Sequence, residues 1–191
     1  MITGTQYADQ AMSDRYTGTP YSKLDCQAFV EQVLKDCGVR KPDGSPYNWK
    51  GSNSMWRNAL EWKGTIQQCL NRYGMIPPGA WVFIVKNDGG EKDRGYDDDQ
   101  GNASHVGIYC DPNRPDPVRD STKTSTRDGV GYRKLSGFTH VGLPKMILYN
   151  KEETESDVLT AVHTVRNENS SDEDYLKSLE TLTKHLKEVI I

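Results

Sequence analysis

The residues of this chain best suited to chemistry are a cysteine that opens a predicted helix and a histidine on a predicted strand. Cys26 follows Asp25 in the segment DCQAFVEQVLKDC, and the backbone N–H groups at a helix start stabilise a thiolate, the nucleophilic form. His105, in the segment GNASHVGIYC, is a base that can take the thiol proton. A lone cysteine is usually structural, and so is a lone strand histidine. The prediction of a nucleophile and its base therefore depends on the pair.

A third group is needed to orient the imidazole and to stabilise its charged form. Asp120, in the segment PVRDST, lies one predicted strand after His105 and can face it across an antiparallel pair. The alternative is a turn aspartate that bonds to its own backbone. Asn102 and Arg119 are the other candidates for the orienting role, and Arg119, which adjoins Asp120 in the sequence, is also a candidate competitor for its carboxylate. The sequence thus predicts a catalytic set of Cys26, His105 and Asp120.

Two kinds of element must position these residues, and the predicted helices come before most of the strands. Apolar residues at helical spacing predict helices over residues 25–37, 54–63 and 65–72. Runs rich in β-branched and aromatic residues predict strands over residues 80–85, 104–110, 115–122, 129–135 and 139–149. Helices followed by strands indicate an α+β fold with an antiparallel sheet.

Alternation along the histidine strand separates two faces. Val106 and Ile108 share the side that looks like core, whereas His105 and Gly107 share the other side. The glycine leaves space beside the histidine, as a substrate groove requires.

The order of these motifs resembles that of papain-like hydrolases and, more closely, that of the NlpC/P60 family. The family combines a cysteine that opens a helix after aspartate, a strand led by proline-glycine and a strand of the type HVGIY. Here these motifs read DCQAFV, PPGAWVFIV and SHVGIYC, in family order, and the resemblance covers roughly residues 16–149. The phrases MWRNALEWKG, GAWVFIVKNDGGE and GNASHVGIY are similar to lysin-type NlpC/P60 proteins of phages and Gram-positive bacteria.

This resemblance implies a papain-like NlpC/P60 fold, with the helix that starts at the cysteine packed on an antiparallel sheet. It implies a thiol peptidase that cuts peptidoglycan stem peptides at γ-D-glutamyl bonds. Asp25 and Tyr21, or Tyr16 in place of Tyr21, would bind the free amine of the substrate. The chain departs from many family members at two places: Gln27 stands where serine is common, and VRDST stands where the third group is often histidine.

Two other functions remain open at this stage. One is an N-acetylmuramoyl-L-alanine amidase on the same scaffold. The other is a non-catalytic cell-wall-binding or phage structural module, against which the intact Cys26 and His105 argue. In each case the expected partner is peptidoglycan or its peptide fragments. Residues 1–15 show no secretory signal pattern, so we expect synthesis in the cytoplasm and action at the wall after release or export by other means.

Composition excludes several classes of function. The net charge of -3 gives no reason to expect nucleic acid as a partner, and no stretch has the length of a membrane span. The four cysteines lack a CxxC pair and zinc-ligand spacing, so we expect reduced thiols and neither metal nor other cofactor. The acidic loop 88–100 could bind calcium, but it lacks the EF-hand spacing and its terminal glutamate, which favours a solvated loop. His140 is predicted to be structural. Trp49, Trp56 and Trp62 could line a sugar- or peptide-binding groove, but aromatic residues around a helix more often serve packing, which is the prediction here.

The composition changes after Asn150. We predict a catalytic domain over residues 1–150 and an acidic linker with an amphipathic helix over residues 151–191, a segment that carries -5 and leaves +2 for the rest. A stripe at helical spacing in this segment consists of Leu179, Leu182, Leu186 and Val189. The stripe fits docking on the catalytic domain or pairing of chains, and a solvated tail is the alternative. We expect pairing into a homo-oligomer, because the linker lets the helix swing free of the active site.

Overall fold

Helices precede most of the strands in the structure, as the sequence predicts. A computed structural model describes residues 2–88, 96 and 98–149 of the chain. The helices and strands, in chain order, are β1 (Ile2–Thr3), α1 (Gly4–Ala11), α2 (Cys26–Asp36), α3 (Ser52–Asn58), β2 (Leu60–Thr65), α4 (Ile66–Tyr73), β3 (Trp81–Lys86), β4 (Asn102–Tyr109), β5 (Val118–Lys123), β6 (Asp128–Arg133), β7 (His140–Pro144) and β8 (Ile147–Leu148). The predicted α+β class is confirmed. None of the helices in these ranges has both the length and the apolar character needed to cross a bilayer.

Six strands form one antiparallel sheet in the order β2-β7-β3-β4-β5-β6. β1 and β8 form a separate parallel pair. β3 lies inside the large sheet, between β4 and β7, which explains the complete burial of Trp81, Val82 and Phe83. β4 and β5 are neighbours, so the strands that carry His105 and Asp120 lie side by side.

Both faces of the large sheet are covered by apolar residues. On one face Phe29 of α2 packs in a cluster with Val106 and Ile108 of β4. On the other face Tyr109 and Phe138 belong to a second cluster. The sequence identified the core face at Val106 and Ile108 but not the second core on the opposite side.

Local capping fixes the start of α2 at Cys26. The Asp25 side chain accepts a hydrogen bond of 2.8 Å from the Ala28 N–H, which satisfies one free donor of the first helical turn. The helix ends at Asp36, and Gly38 follows it with a left-handed φ of 73°. The predicted helix over residues 25–37 is therefore correct to within one residue at each end.

The predicted helix over residues 54–63 is wrong beyond Asn58. α3 ends there, and the chain continues as β2, which pairs antiparallel with β7 so that Trp62 faces Leu143. Helical spacing of the apolar residues pointed to one long helix, but pairing with a distant strand overrides local preference. The predicted strand over residues 139–149 is two strands, β7 and β8. The predicted linker and C-terminal helix lie outside the described residues.

Candidate active site

The loop before Cys26 is held in place by β5 and β6. The Ser121 hydroxyl donates a hydrogen bond to the carbonyl of Leu24, and the Tyr21 N–H donates to Asp128 Oδ1 at 2.9 Å. These contacts connect residues far apart in sequence. They set where α2 begins relative to the sheet and hence where the Cys26 thiol lies.

A glycine allows the same loop to approach β6 closely. Gly129 has a φ of 111°, and a Cβ built on it would lie 1.9 Å from the carbonyl oxygen of Thr19. The next residue, Val130, donates its N–H to this oxygen at 3.3 Å. A side chain at position 129 would be strained and would displace the loop.

His105 is placed by an irregularity in β4. It pairs with Ile84 while Ala103 pairs with Val85, so Ser104 is an extra residue and forms a β-bulge. Bulges next to active sites commonly redirect a side chain. The imidazole stacks on the Phe138 ring with centroids 5.9 Å apart, and His105 is buried.

The structure brings His105 and Asp120 together. His105 Nε2 lies 2.7 Å from Asp120 Oδ2, although the residue pairing between β4 and β5 is confined to Ile108 and Tyr109 of β4. Gly107 makes the approach possible, because a Cβ there would lie 3.1 Å from the Cβ of Asp120. With Nε2 engaged by the carboxylate, Nδ1 is the imidazole nitrogen left for another partner.

The pKa values of these two groups show how they interact. Burial lowers the pKa of His105, but its hydrogen bond to Asp120 and its interaction with Cys26 outweigh burial and bring the pKa to about 9. Burial raises the pKa of Asp120, but His105 and the charge of Arg127 outweigh it and lower the pKa below its usual value. The site thus favours an ionised Asp120 beside a charged imidazole.

The other three thiols are unsuited to nucleophilic chemistry near neutral pH. Burial raises the pKa of Cys37 to about 11 and those of Cys69 and Cys110 to about 12. All four cysteines are free thiols. Cys26 differs from the others because it starts a helix and interacts with a histidine.

Tyr21 lies beside the thiol, whereas Tyr16 does not. Burial and then the neighbouring Cys26 and Asp25 raise the pKa of Tyr21 to about 12. Tyr16 is buried against Phe29. The Tyr16 hydroxyl donates to Asp36 at the far end of α2. Of the two tyrosines considered for substrate binding, the structure places Tyr21 next to the thiol.

The two rival orienting residues have other partners. Arg119 donates from Nη2 to Thr17 Oγ1 at 2.7 Å. Asn102 accepts a hydrogen bond from Asn53 at 2.7 Å. Of the three candidates for the orienting role, Asp120 is thus the one that contacts the His105 imidazole.

Two arginines that sequence reasoning missed bind Asp120. Arg127 Nη2 donates to Oδ1, and Arg133 Nη1 lies 3.4 Å from Oδ2. Sequence reasoning expected Arg119 to be the competitor for this carboxylate. Gly131 is the residue from which the Arg127 contact could have been predicted, since a glycine within a strand often marks the close approach of another group.

Gln27, where this chain departs from many NlpC/P60 sequences, anchors the segment that faces the start of α2. Its Oε1 accepts from the Gly51 N–H at 2.6 Å, and its Nε2 donates to the Trp49 carbonyl. Glu31, one turn later, accepts from the Trp49 N–H at 2.6 Å. The residue after Cys26 therefore has a structural role that serine is too short to fill.

The residues predicted to be structural make packing contacts. His140 packs edge-on against Trp56 with centroids 5.3 Å apart, and burial lowers its pKa. Trp49 meets the buried Trp81 edge-on, and Trp62 meets Tyr73 in the same way.

Over residues 2–88, 96 and 98–149, no group of three or more His, Cys, Asp or Glu side chains is placed to hold a metal ion.

Comparison with known proteins found no matching family model, no matching curated protein and no matching solved structure.

Proposed function

We propose that this chain is a papain-like cysteine peptidase of the NlpC/P60 type that cuts peptidoglycan stem peptides at a γ-D-glutamyl bond. The observation that carries the proposal is the placement of His105. Its Nε2 lies 2.7 Å from Asp120, and it also interacts with the helix-start thiol of Cys26. A thiol, a base and an orienting carboxylate are the parts that nucleophilic hydrolysis of an amide requires. The motif resemblance supports the substrate class.

In the proposed reaction the Cys26 thiol gives its proton to Nδ1 of His105. The thiolate attacks the scissile carbonyl carbon, and the imidazolium returns the proton to the leaving amine, which leaves an acyl-enzyme thioester. Water activated by His105 then hydrolyses the thioester and frees the thiol. Asp120 stabilises the imidazolium throughout the cycle.

Backbone donors at the start of α2 suit the developing oxyanion. The N–H groups of Cys26 and Gln27 have no acceptor within the part of the chain that the structure describes. They belong to the first helical turn, whose N–H groups have no partner within the helix. Donors of this kind contribute most when they are fixed before the charge develops.

The substrate's free amine has a matching environment beside the thiol. Tyr21 and Asp25 both neighbour Cys26, and a carboxylate with a phenol hydroxyl is a suitable pair for an ammonium group. This arrangement favours cleavage near the amino end of a stem peptide. It is the feature that points to an endopeptidase acting on peptides with a free amine.

Digestion of two substrates, purified peptidoglycan and stem peptides with a free amino end, tests this function by mass analysis of the soluble products, because the stem peptides of intact peptidoglycan have their amino ends joined to muramic acid. Wild-type protein should release fragments with new amino ends inside the stem peptide, and Cys26→Ala should release none. Cys37→Ala is the matched control, because it removes a thiol from the other end of α2 and should digest the wall like wild type. Release of whole stem peptides would instead identify an amidase. Binding to the wall without any fragments would identify a non-catalytic module.

A further inference from the structure

The Asp120 carboxylate faces more positive charge than one histidine requires. It is completely buried. Oδ2 is shared by His105 at 2.7 Å and Arg133 at 3.4 Å, and Oδ1 accepts from Arg127. A catalytic carboxylate that serves only to orient a histidine does not need two arginines. Their presence calls for a physical role.

Arg127 is held at Asp120 by a specific feature of β6. Gly131 lies directly opposite Asp120 in the strand pairing. A Cβ on Gly131 would lie 2.8 Å from Arg127 Nη1 and 3.0 Å from its Cδ, so the arginine side chain passes over the space that this glycine leaves open. Nη1 also donates to the Tyr132 carbonyl at 2.8 Å. The guanidinium is therefore fixed against the strand and aimed at the carboxylate.

The other charged or titratable groups around the histidine come from known elements. Cys26 of α2 interacts with His105, and Tyr21 and Asp25 of the preceding loop neighbour Cys26. Arg133 of β6 lies 5.1 Å from the centroid of Phe138, the ring that stacks on His105. Phe138 itself is neutral.

We propose that Arg127 is a positioning residue that acts through Asp120: by occupying Oδ1, it offsets part of the negative charge that the carboxylate presents to His105. Its catalytic meaning rests on the proposed function, because the imidazolium must give up its proton to the leaving amine. A carboxylate without this offset would hold the proton on His105 more strongly. Arg127 thus limits how basic the histidine becomes.

The sign of the effect distinguishes this role from mere support of the fold. Removing the charge of Arg127 should raise the pKa of His105, whereas removing the charge of Asp120 should lower it. If Arg127 only held Asp120 in place, its loss would weaken the contact between Asp120 and His105. The pKa of His105 would then fall, as it should in Asp120→Asn.

The measurement is an NMR titration of the His105 ring in full-length protein, in a Cys26→Ser background that removes coupling to the thiol. The His105→Gln variant assigns the signal. Arg127→Gln should raise the pKa of His105 by on the order of one unit, a moderate shift because the Arg127 side chain is 24% exposed. Arg127→Lys keeps the charge and should leave the pKa nearer the parent value.

Two further variants separate the charge from the fold. Gly131→Ala should push the intact Arg127 away from Asp120 and shift the pKa of His105 upwards by a smaller amount. Arg114→Gln is the matched control, since this guanidinium lies 4.0 Å over the Tyr132 ring and should leave the pKa unchanged. Thermal unfolding should show each variant folded before titration.

An unchanged or lowered pKa of His105 in a folded Arg127→Gln protein would overturn the proposal. The titration uses no substrate, so it is independent of the peptidase assignment. If the shift occurs while wild-type protein cuts no peptidoglycan, the charge offset stands and the proposed function fails. In an active enzyme, the alkaline limb of the pH–rate profile should shift to higher pH in Arg127→Gln and to lower pH in Asp120→Asn.

Discussion

Replacing Asp120 by asparagine should change how the stability of this protein depends on pH. The substitution keeps the size and shape of a completely buried side chain but removes its negative charge. In the wild-type protein the contact at 2.7 Å with Nε2 is the first of the favourable influences that bring the pKa of His105 to about 9. Asparagine leaves that imidazole without a charged partner, so burial should dominate and lower its pKa.

The size and sign of the effect follow from this pKa. Because the pKa of His105 in the folded protein lies above the usual value of 6.5, the stabilisation is fully present below pH 6.5 and is lost as the pH rises through about 9. The difference between the usual pKa of 6.5 and the pKa of about 9 in the folded protein corresponds to about 3 kcal/mol of unfolding free energy, at about 1.4 kcal/mol per pKa unit. Since Cys26 supplies part of it, we expect Asp120 to account for about 2 kcal/mol between roughly pH 6 and pH 8.5.

Urea unfolding of both proteins across this range measures the effect. The stability gap between wild type and Asp120→Asn should be widest near pH 6 and should narrow by about 2 kcal/mol near pH 8.5. The two arginines that lose their carboxylate partner destabilise the variant by an amount that does not depend on pH in this range. The cysteines other than Cys26 titrate alike in both proteins. Neither effect therefore changes how far the stability gap narrows. A gap that stays constant to within about 0.5 kcal/mol would refute the reasoning.

Four other outcomes are expected. Cys26→Ala should slow wall hydrolysis by several orders of magnitude with its fold intact, and His105→Ala should do the same. The double variant should be little slower than either single variant. Wall lysis by a folded Cys26→Ala protein would exclude the thiol mechanism. Asp120→Asn should slow hydrolysis less than either of these, and a rate within about twofold of wild type would mean that another group orients His105. Iodoacetamide near neutral pH should alkylate Cys26 first and inactivate the enzyme, whereas EDTA should leave its activity unchanged. Activity that EDTA abolishes and calcium restores would contradict this. Truncation after Asn150 should preserve hydrolysis and convert an oligomer to a monomer. Light scattering measures the oligomeric state of both proteins, and a monomeric full-length protein would exclude pairing of the C-terminal helices.

Local order along the chain determined much of the fold. Asp25 before the apolar spacing of residues 26–36 places the start of α2 at the cysteine, because an N-cap and a helical stripe act over a few neighbouring residues. The strands β3 to β6 follow from β-branched and aromatic runs of the same short range. These features also gave the α+β class, and they place Cys26 at a helix start and His105 on a strand.

Pairing between distant segments decided the rest. Residues 60–65 became a strand because β7 lies beside them, and the extra residue Ser104 redirects His105 through pairing with β3. Neither effect is visible in the local spacing of apolar residues.

The partners of Asp120 show the same limit. His105 is 15 positions away in sequence, and the Leu24 carbonyl, which anchors the loop before Cys26, is 97 positions from Ser121. Sequence order suggested the histidine contact but chose Arg119 as the competing cation, whereas the folded chain uses Arg127, which lies across Gly131. Residue types and short-range spacing thus specify the elements and the candidate chemical groups. Which groups touch is decided by strand register and by the space that glycines leave, and only the tertiary structure fixes these.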